Sequence, residues 1–325
     1  MQGHFGRGRI RAVTPLAADV RLIEIEPEGG AEPYPSGSHL DLAVVLDGLP
    51  DTRSYSLVGE RPHEGAYRIA VKRLPDSRGG SEFMHALEEG AEIEVSSPRS
   101  HFELQHGRPE YLLVAGGIGI TPIVGMAQAL ARAGAELRLL YAARTREALV
   151  FADELTDLLG VRLETYVGER IDLGAAIDAL HADGELYVCG PPSLREATRA
   201  AWRERGRPVD RLRFETFATA GRFPTEVFRV RVRDHGDREV EVPRNRTMLA
   251  ALGDVGIEVM SDCLRGECGL CAVTVLEADG DLDHRDVFLS EEEQDEGGSL
   301  CSCVSRAAGG AVTIDTGFRP ASART

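Results

Sequence analysis

Five of the six cysteines in this 325-residue chain, Cys263, Cys268, Cys271, Cys301 and Cys303, fall in one short stretch, while Cys189 stands alone. The first three read C-x4-C-x2-C and are followed by a distant cysteine, the spacing of plant-type [2Fe–2S] loops. The chemistry explains the spacing. Four thiolates must converge on two irons, and the x4 loop has to wrap the cluster with backbone N–H groups turned toward its sulfur atoms. Gly266 and Gly269 supply the backbone angles and close approach that this demands. Zinc sites favour paired C-x2-C elements, and only one such pair is present. Cys301 and Cys303 flank Ser302, and spacing alone admits either as the fourth ligand. In a chain that opens without an apolar leader, such clustering reads as metal binding and not as a disulfide framework.

A second set of residues lies at glycine turns. The run Tyr111-Leu-Leu-Val-Ala-Gly116-Gly117-Ile-Gly119-Ile-Thr121-Pro122 reads as strand, tight turn and helix start. Such a turn brings backbone N–H groups to a pyrophosphate at the positive end of a helix, although the G-x-G-x-x-G fingerprint is replaced here by G-G-x-G-x-T-P. Pro122 suits a first helical position, and Thr121 is placed to cap the helix or touch a ligand. Cys189-Gly190-Pro191 ends a second strand, and ligands bind at the carboxyl ends of parallel strands. A lone cysteine is most often a buried hydrophobe; the strand-end position gives this one a functional reading. A third motif, Arg53-Ser-Tyr55-Ser56-Leu57, closes a strand with a cation for phosphate, a flat ring for a flavin and a hydroxyl for the flavin's N5 or O4 edge. Downstream, Ser77-Arg78-Gly79-Gly80-Ser81 opens a helix and forms a phosphate cradle.

The elements that must carry these residues have three textures. Through residue 106 the chain is strand-rich, with short runs such as Val20–Ile25, Leu40–Leu46, Tyr67–Val71 and Ile93–Val95 separated by Pro/Gly clusters, the pattern of a small antiparallel barrel. One helix, Ser81–Leu87 with Ser81 as its N-cap, interrupts it. From 107 to 217 strands alternate with helices, which predicts a parallel sheet covered on both faces. The strands are Tyr111–Ala115, Leu137–Ala142, Leu163–Val167 and Glu185–Cys189. The helices run over Pro122–Arg132, Phe151–Leu159, Leu173–Leu180 and Ser193–Arg205. Residues 218–225 are a turn-prone linker. Over 226–317 strands at Phe228–Val232 and Glu239–Val242 and a helix at Met248–Val255 precede and follow polar turns. Glu291-Glu292-Glu293 reads as a solvated acidic stretch, and 318–325 as a tail.

Composition narrows the partners. The net charge of −16 argues against nucleic acid and anionic membranes and favours basic protein surfaces. No apolar run approaches the length of a membrane span, and no secretory h-region precedes the first strand, so a cytoplasmic protein is expected.

These motifs together resemble the phthalate dioxygenase reductase family, which includes the vanillate O-demethylase reductases. Its markers stand here as Pro35-Ser-Gly-Ser-His39, Arg53-Ser-Tyr-Ser-Leu57, Ile69-Ala-Val-Lys-Arg73, Arg78-Gly-Gly-Ser81, Ala115-Gly-Gly-Ile-Gly-Ile-Thr-Pro122, Val188-Cys-Gly-Pro191 and Phe214-Glu-Thr-Phe217. Asp283-His-Arg-Asp286, Leu289-Ser290 and Cys303-Val-Ser-Arg-Ala307 follow the cysteine loop. The resemblance covers nearly the whole chain in domain order. It implies an FMN-binding barrel (1–106), an NAD(H)-binding α/β domain (107–217) and a β-grasp ferredoxin domain (226–317).

It also implies roles. Arg53, Tyr55 and Ser56 would hold the flavin, with Val71, Lys72, Arg78, Gly79, Gly80 and Ser81 along its ribityl and phosphate. The short Arg-Gly-Gly-Ser loop resembles the FMN-binding version and not the longer FAD-binding one. Gly116, Gly117, Thr121, Cys189, Gly190, Pro191 and Phe217 would take the nucleotide, Ser56 and Cys189 being nearest the reaction. Cys303 joins Cys263, Cys268 and Cys271 as ligand, because the family's fourth cysteine precedes x-S-R-A. The loop Ala278–Leu282 runs longer than in relatives. Arg144, where 2′-phosphate selection is often made, leaves NADPH open beside NADH. The implied route is NADH to FMN to cluster to a separate Rieske oxygenase or, less often, a cytochrome P450, from a monomeric reductase. A ferredoxin-bearing module without turnover is the competing class.

Overall fold

The structure, a computed structural model, describes residues 5–46, 48–74, 79–217, 221 and 223–317. Arg78, residues 218–220 and 222 of the linker and the 318–325 tail lie outside the described residues. The chain divides into two compact units, with the division after Phe217.

The first unit opens with β1 (Phe5–Ala17), β2 (Val20–Pro27), β3 (Ser38–Leu46), β4 (Leu49–Ser56), β5 (Tyr67–Lys72), then α1 (Gly80–Ala86), β6 (Glu92–Ser96) and β7 (Arg99–Ser100). They pair antiparallel in the order β4-β3-β6-β1-β2-β5, with β7 on β3. A bridge between Leu57 and Ile69 joins the end of β4 to β5 and closes the barrel. Period-2 alternation sends Leu40, Leu42 and Val44 inward with Ile23, Ile25, Ile69 and Val71. Ser81 is not the N-cap of α1. That place belongs to Gly79, whose φ of +88° no L-residue adopts cheaply, and the Ser81 hydroxyl instead accepts from the Leu74 N–H at 3.1 Å.

The same unit continues with β8 (Tyr111–Gly116), α2 (Ile120–Arg132), β9 (Leu137–Ala143), α3 (Ala152–Leu159), β10 (Leu163–Val167), α4 (Leu173–Asp178), β11 (Glu185–Cys189), α5 (Pro192–Glu204) and β12 (Leu212–Glu215). The five strands are parallel, in the order β10-β9-β8-β11-β12. Tyr111, Leu113 and Ala115 point to α2 on one face, and Leu112 and Val114 meet Leu173, Ile177 and Trp202 on the other. Both faces are therefore buried, as the near-continuous apolar strands predict. The helix after β8 begins at Ile120, so Pro122 sits third in it and not first. Its missing N–H still falls in the first turn, where no intrahelical acceptor exists. The core of this sheet also takes in Val20, Val58, Ala70 and Phe102 from the barrel.

The second unit contains β13 (Phe228–Val232), β14 (Arg238–Val242), α6 (Met248–Asp254), β15 (Ala272–Ala278), β16 (Leu282–Asp283), α7 (Glu291–Glu296), β17 (Ser299–Cys301), β18 (Arg306–Ala307) and β19 (Ala311–Asp315). Its mixed sheet runs β14-β13-β19-β15-β17, with β13 and β19 parallel, and Met248, Ala251 and Leu252 of α6 pack on it in the β-grasp manner. The acidic run at 291–293 is not merely a solvated stretch but the start of α7. Ser290 accepts from the Glu293 N–H at 3.3 Å while the Glu293 carboxylate takes the Ser290 N–H at 2.8 Å, a reciprocal cap. Among the described residues no helix is long and apolar enough to cross a membrane.

Candidate functional site

Strand β4 carries the first group. Arg53 and Tyr55 share one face of it and Ser54 and Ser56 the other, since successive side chains alternate. Arg53 is ion-paired with Asp51 at 2.7 Å and donates Nη1 to the Thr52 carbonyl, but its buried Nη2 meets no partner among the described residues. A Cβ on Gly80 would stand 2.6 Å from Arg53 Nε, so only glycine lets the guanidinium cross the start of α1. A cation with a spare donor at a helix entrance fits a phosphate group. Tyr55 is mostly enclosed, and burial raises its phenol above the usual tyrosine range, so it stays neutral. The Val71 side chain faces the barrel core, its carbonyl 2.9 Å from His85 Nε2; Lys72 pairs with Asp19 at 3.3 Å. Both therefore offer a ligand less than their sequence positions suggest.

The second group lies where the strand order reverses, between β8 and β11. In open α/β sheets that crevice, at the carboxyl ends of the strands, is where ligands bind. Gly116 and Gly117 end β8 and Cys189, Gly190 and Pro191 end β11. Gly117 has φ +53° and open space where a Cβ would be. At Gly116 a Cβ would meet Pro191 Cδ at 2.6 Å, and at Gly190 it would meet Gly116 at 3.0 Å. Gly119 packs equally closely on the Cys189 carbonyl group. The two turns thus interlock through glycines, which leaves the crevice lined by backbone. Thr121 neither caps α2 nor reaches out: it is buried, and its hydroxyl donates to the Ile118 carbonyl at 3.1 Å. Phe217 packs partly buried against the sheet core. Arg144 lies exposed just beyond β9.

Strand β12, unrecognised from sequence, adds the residue that joins these groups. Its Glu215 is directly beside Cys189 in the β11–β12 register, and the Ser56 hydroxyl of the barrel donates to Glu215 Oε2 at 3.0 Å. Ser56, Cys189 and Glu215 are all buried. The only sequence signal for Glu215 was its place inside Phe214-Glu-Thr-Phe217.

In the second unit the cysteine loop wraps as its spacing requires. The N–H groups of Arg265, Glu267 and Cys268 all point at Cys263 Sγ, each at 3.4 Å. Gly266 and Gly269 both have φ +73°. A Cβ on Gly266 would sit 2.8 Å from the Asp286 backbone, and on Gly269 the Phe288 ring fills the space. The thiols fall into neighbouring sets: Cys263 contacts Cys268, while Cys271 contacts Cys301 and Cys303. Hydrogen bonds from Cys301 and Cys303 pull the Cys271 thiol well below the usual cysteine range, whereas burial pushes Cys263 up. Cys303 also receives the Gly266 N–H. Among the described residues no three His, Cys, Asp or Glu side chains are arranged to hold a single metal ion. The C-x4-C-x2-C spacing and the three N–H groups turned toward Cys263 Sγ fit a [2Fe–2S] cluster better than zinc, whose sites favour paired C-x2-C elements.

The family markers beyond the loop turn out to buttress it. Ser305 links the Arg285 N–H (3.0 Å) to Asp286 Oδ1 (2.8 Å), Asp286 Oδ2 accepts from Leu289 N–H at 3.0 Å, and Val287 N–H donates to the Gly266 carbonyl at 2.9 Å. Burial alone would raise the Asp286 carboxyl; bonds from His284, Leu289 and Ser305 outweigh it and hold the group low. Arg306, fully buried, donates to the carbonyls of Arg246, Pro243 and Glu226 and stacks 4.9 Å from the Phe228 ring.

Comparison with known proteins recovers the same three kinds of module. Residues 8–104 match the oxidoreductase FAD-binding domain, 113–164 the oxidoreductase NAD-binding domain and 232–308 the 2Fe-2S iron-sulfur cluster binding domain. The chain is 35% identical to the heme-dependent oxidative N-demethylase beta subunit of Ectopseudomonas mendocina, over 94% of this chain and 97% of that one. It is 36% identical to the phenoxybenzoate dioxygenase subunit beta of Ectopseudomonas oleovorans, over 94% and 96%. The solved structure of phthalate dioxygenase reductase superposes with a TM-score of 0.82 at 32% identity, covering 96% of this chain and 98% of that one. A flavin barrel, a nicotinamide-nucleotide sheet and a [2Fe–2S] domain in this order define an oxidoreductase, and the chain belongs to the phthalate dioxygenase reductase family of oxygenase reductases, which carry electrons from NAD(P)H through flavin and cluster to terminal oxygenases.

Proposed function

We propose that this chain is the NADH-dependent, FMN-containing reductase of a two-component oxygenase, delivering electrons through its [2Fe–2S] cluster to a separate Rieske-type oxygenase or O-demethylase. The observation that carries the reading is the Ser56–Glu215 hydrogen bond, which ties the flavin barrel to the nucleotide sheet beside Cys189. A flavin held by Arg53, Tyr55 and Ser56 would supply two-electron hydride acceptance, and a cluster held by the cysteine loop single-electron transfer.

The residues supply position and electrostatics. Arg53 would neutralise the phosphate at Gly79, Gly80 and Ser81; the family resemblance adds Arg78, Val71 and Lys72 to the flavin residues, although Val71 faces the core and Lys72 is paired with Asp19. One guanidinium at one helix entrance matches one phosphate, which supports FMN over FAD. Tyr55 and Ser56 hold the ring system. The backbone of Gly116, Gly117, Gly190 and Pro191, with Thr121 closing the turn and Phe217 at the rim, receives the nucleotide. Cys189, buried and apolar, excludes water where the nicotinamide approaches. Cys263, Cys268, Cys271 and Cys303 ligate the cluster; the Gly266 N–H directed at Cys303 supports that choice. The protein acts as a cytoplasmic monomer.

A flavin extracted from the purified holoprotein and chromatographed against standards, followed by NADH and NADPH titration, tests the cofactors. FAD in the extract, or cluster bleaching ahead of flavin reduction in stopped flow, overturns the assignment. A haem acceptor, such as a cytochrome P450, is the second reading; it is favoured by the relative named a heme-dependent demethylase subunit. Reduction rates against purified haem and Rieske acceptors separate the two.

A further inference from the structure

The first turn of α5 touches the ends of β8, β11 and β12 with two adjacent residues. Leu194 lies against both glycine turns: a Cβ on Gly116 or on Gly190 would meet its Cδ2 at 2.9 Å. The next residue, Arg195, is buried, and its Nη1 donates at 3.2 Å to the hydroxyl of Thr216, just past the end of β12. Its Nη2 lies 3.5 Å from Glu196 Oε1. One helical turn on, the Arg199 guanidinium stands 5.7 Å from the centre of the Phe214 ring. Residues i and i+4 share a helix face, so Arg195 and Arg199 grip β12 together. The turn they stand on is itself fixed, because the N–H groups of Leu194 and Arg195 both donate to the Pro191 carbonyl, at 3.0 and 3.3 Å.

The grip falls behind Glu215. Phe214 packs with Leu212 and Leu194 on the sheet face that also buries Trp202. Side chains alternate along a strand, so Glu215 turns to the opposite side, where the Ser56 hydroxyl meets it at 3.0 Å. Burying a guanidinium is costly, and an apolar side chain of similar volume would fill the space more cheaply. What the guanidinium adds is direction, which apolar packing lacks. We propose that Arg195 is a positioning residue for hydride transfer: through Thr216 it fixes the carboxyl end of β12, and so sets the Glu215 carboxylate against Ser56 and beside Cys189. Leu194 keys the nucleotide turns to the same helical turn, so both sides of the crevice share one anchor. The inference rests on the hydride-transfer reading proposed above.

Full-length holoproteins carrying Thr216→Val, which keeps the shape and removes the hydroxyl, Thr216→Ser, which keeps the hydroxyl, and Arg195→Met test it. Flavin and iron contents are matched to wild type first. Anaerobic stopped flow then reads the limiting rate of flavin reduction and the NADH dissociation constant separately. Thr216→Val and Arg195→Met should each lower the limiting rate about threefold to tenfold, less than a full 1 Å displacement of a reactant brings, and leave the dissociation constant within about twofold. Thr216→Ser should keep the wild-type rate. The double variant Arg195→Met/Thr216→Val should be no slower than the slower single variant, because the one bond is lost only once. An unchanged limiting rate in flavin-replete Thr216→Val, or losses that multiply in the double variant, overturns the positioning role. A raised dissociation constant at an unchanged rate overturns it too, and assigns Thr216 to nucleotide binding. Wild-type flavin that NADH cannot reduce overturns the hydride-transfer reading itself, and the role of Arg195 falls with it.

Discussion

Replacing Gly119 by alanine tests whether the interlocked turns position the nicotinamide. Gly119 has φ −62°, ordinary helical backbone, so alanine carries no conformational penalty there. Space is the whole problem. A Cβ would lie 2.5 Å from the Cys189 carbonyl carbon and 2.7 Å from Gly190 N, whereas ordinary contact begins at 3.4 Å. These are backbone atoms of a central strand and cannot swing aside, so the ends of β8 and β11 must part by about 1 Å, as the overpacked contact relaxes. Overpacking of this kind costs about 1–3 kcal/mol of stability. Displacing a bound reactant by about 1 Å costs on the order of a hundredfold in rate. Anaerobic stopped-flow measurement of flavin bleaching by NADH is the assay, with flavin content and iron checked first. Gly119→Ala with full cofactors should reduce its flavin about a hundredfold more slowly than wild type, while dithionite reduction is unaffected. A rate within threefold of wild type would refute the claim that this packing places the nucleotide.

Other substitutions probe the remaining groups. Ser56→Ala removes one hydrogen bond to the buried Glu215, about 0.5–1.5 kcal/mol, so hydride transfer should slow by up to about tenfold with flavin still bound; equal rates would remove Ser56 from the site. Arg53→Ala removes a charge-assisted bond of about 1.5–3 kcal/mol, and gel-filtered protein should lose most of its flavin; full retention would point the phosphate elsewhere. Cys263→Ser should yield protein without iron or sulfide whose flavin is still reduced by NADH but which no longer passes electrons to cytochrome c. Gly253→Ala, in α6 with nothing within 4 Å of the new methyl, should stabilise the second unit by roughly 0.5–1 kcal/mol in thermal melts.

The sequence was most readable where chemistry imposes a local pattern. The cysteine loop, the Gly116–Pro122 turn and the strand-helix alternation each follow from constraints within a dozen residues, and the structure has them where the pattern predicts. Helix starts were less legible. Ser81 and Pro122 both carry the right chemistry for a helix entrance, but a positive-φ glycine and a tight turn took the place two residues earlier. Ser290 with Glu293 is a capping box whose signal is present in sequence, hidden beneath the composition of an acidic run. Glu215 lay beyond reach for a different reason. Its role comes from strand pairing with Cys189 and a hydrogen bond to Ser56, 159 residues away in sequence, and no local pattern encodes such a contact. The same holds for Asp286 and Arg306, whose partners are carbonyls, hydroxyls and amides brought in by the fold.

The apolar core shared by Val20, Val58, Ala70 and Phe102 with the parallel sheet has a practical outcome for anyone dissecting the molecule. A cut near residue 106, where the motifs change, would strip these side chains of their cover and leave two sticky fragments. A calorimeter should register the barrel and the nucleotide sheet as one endotherm. Scissors belong after Phe217.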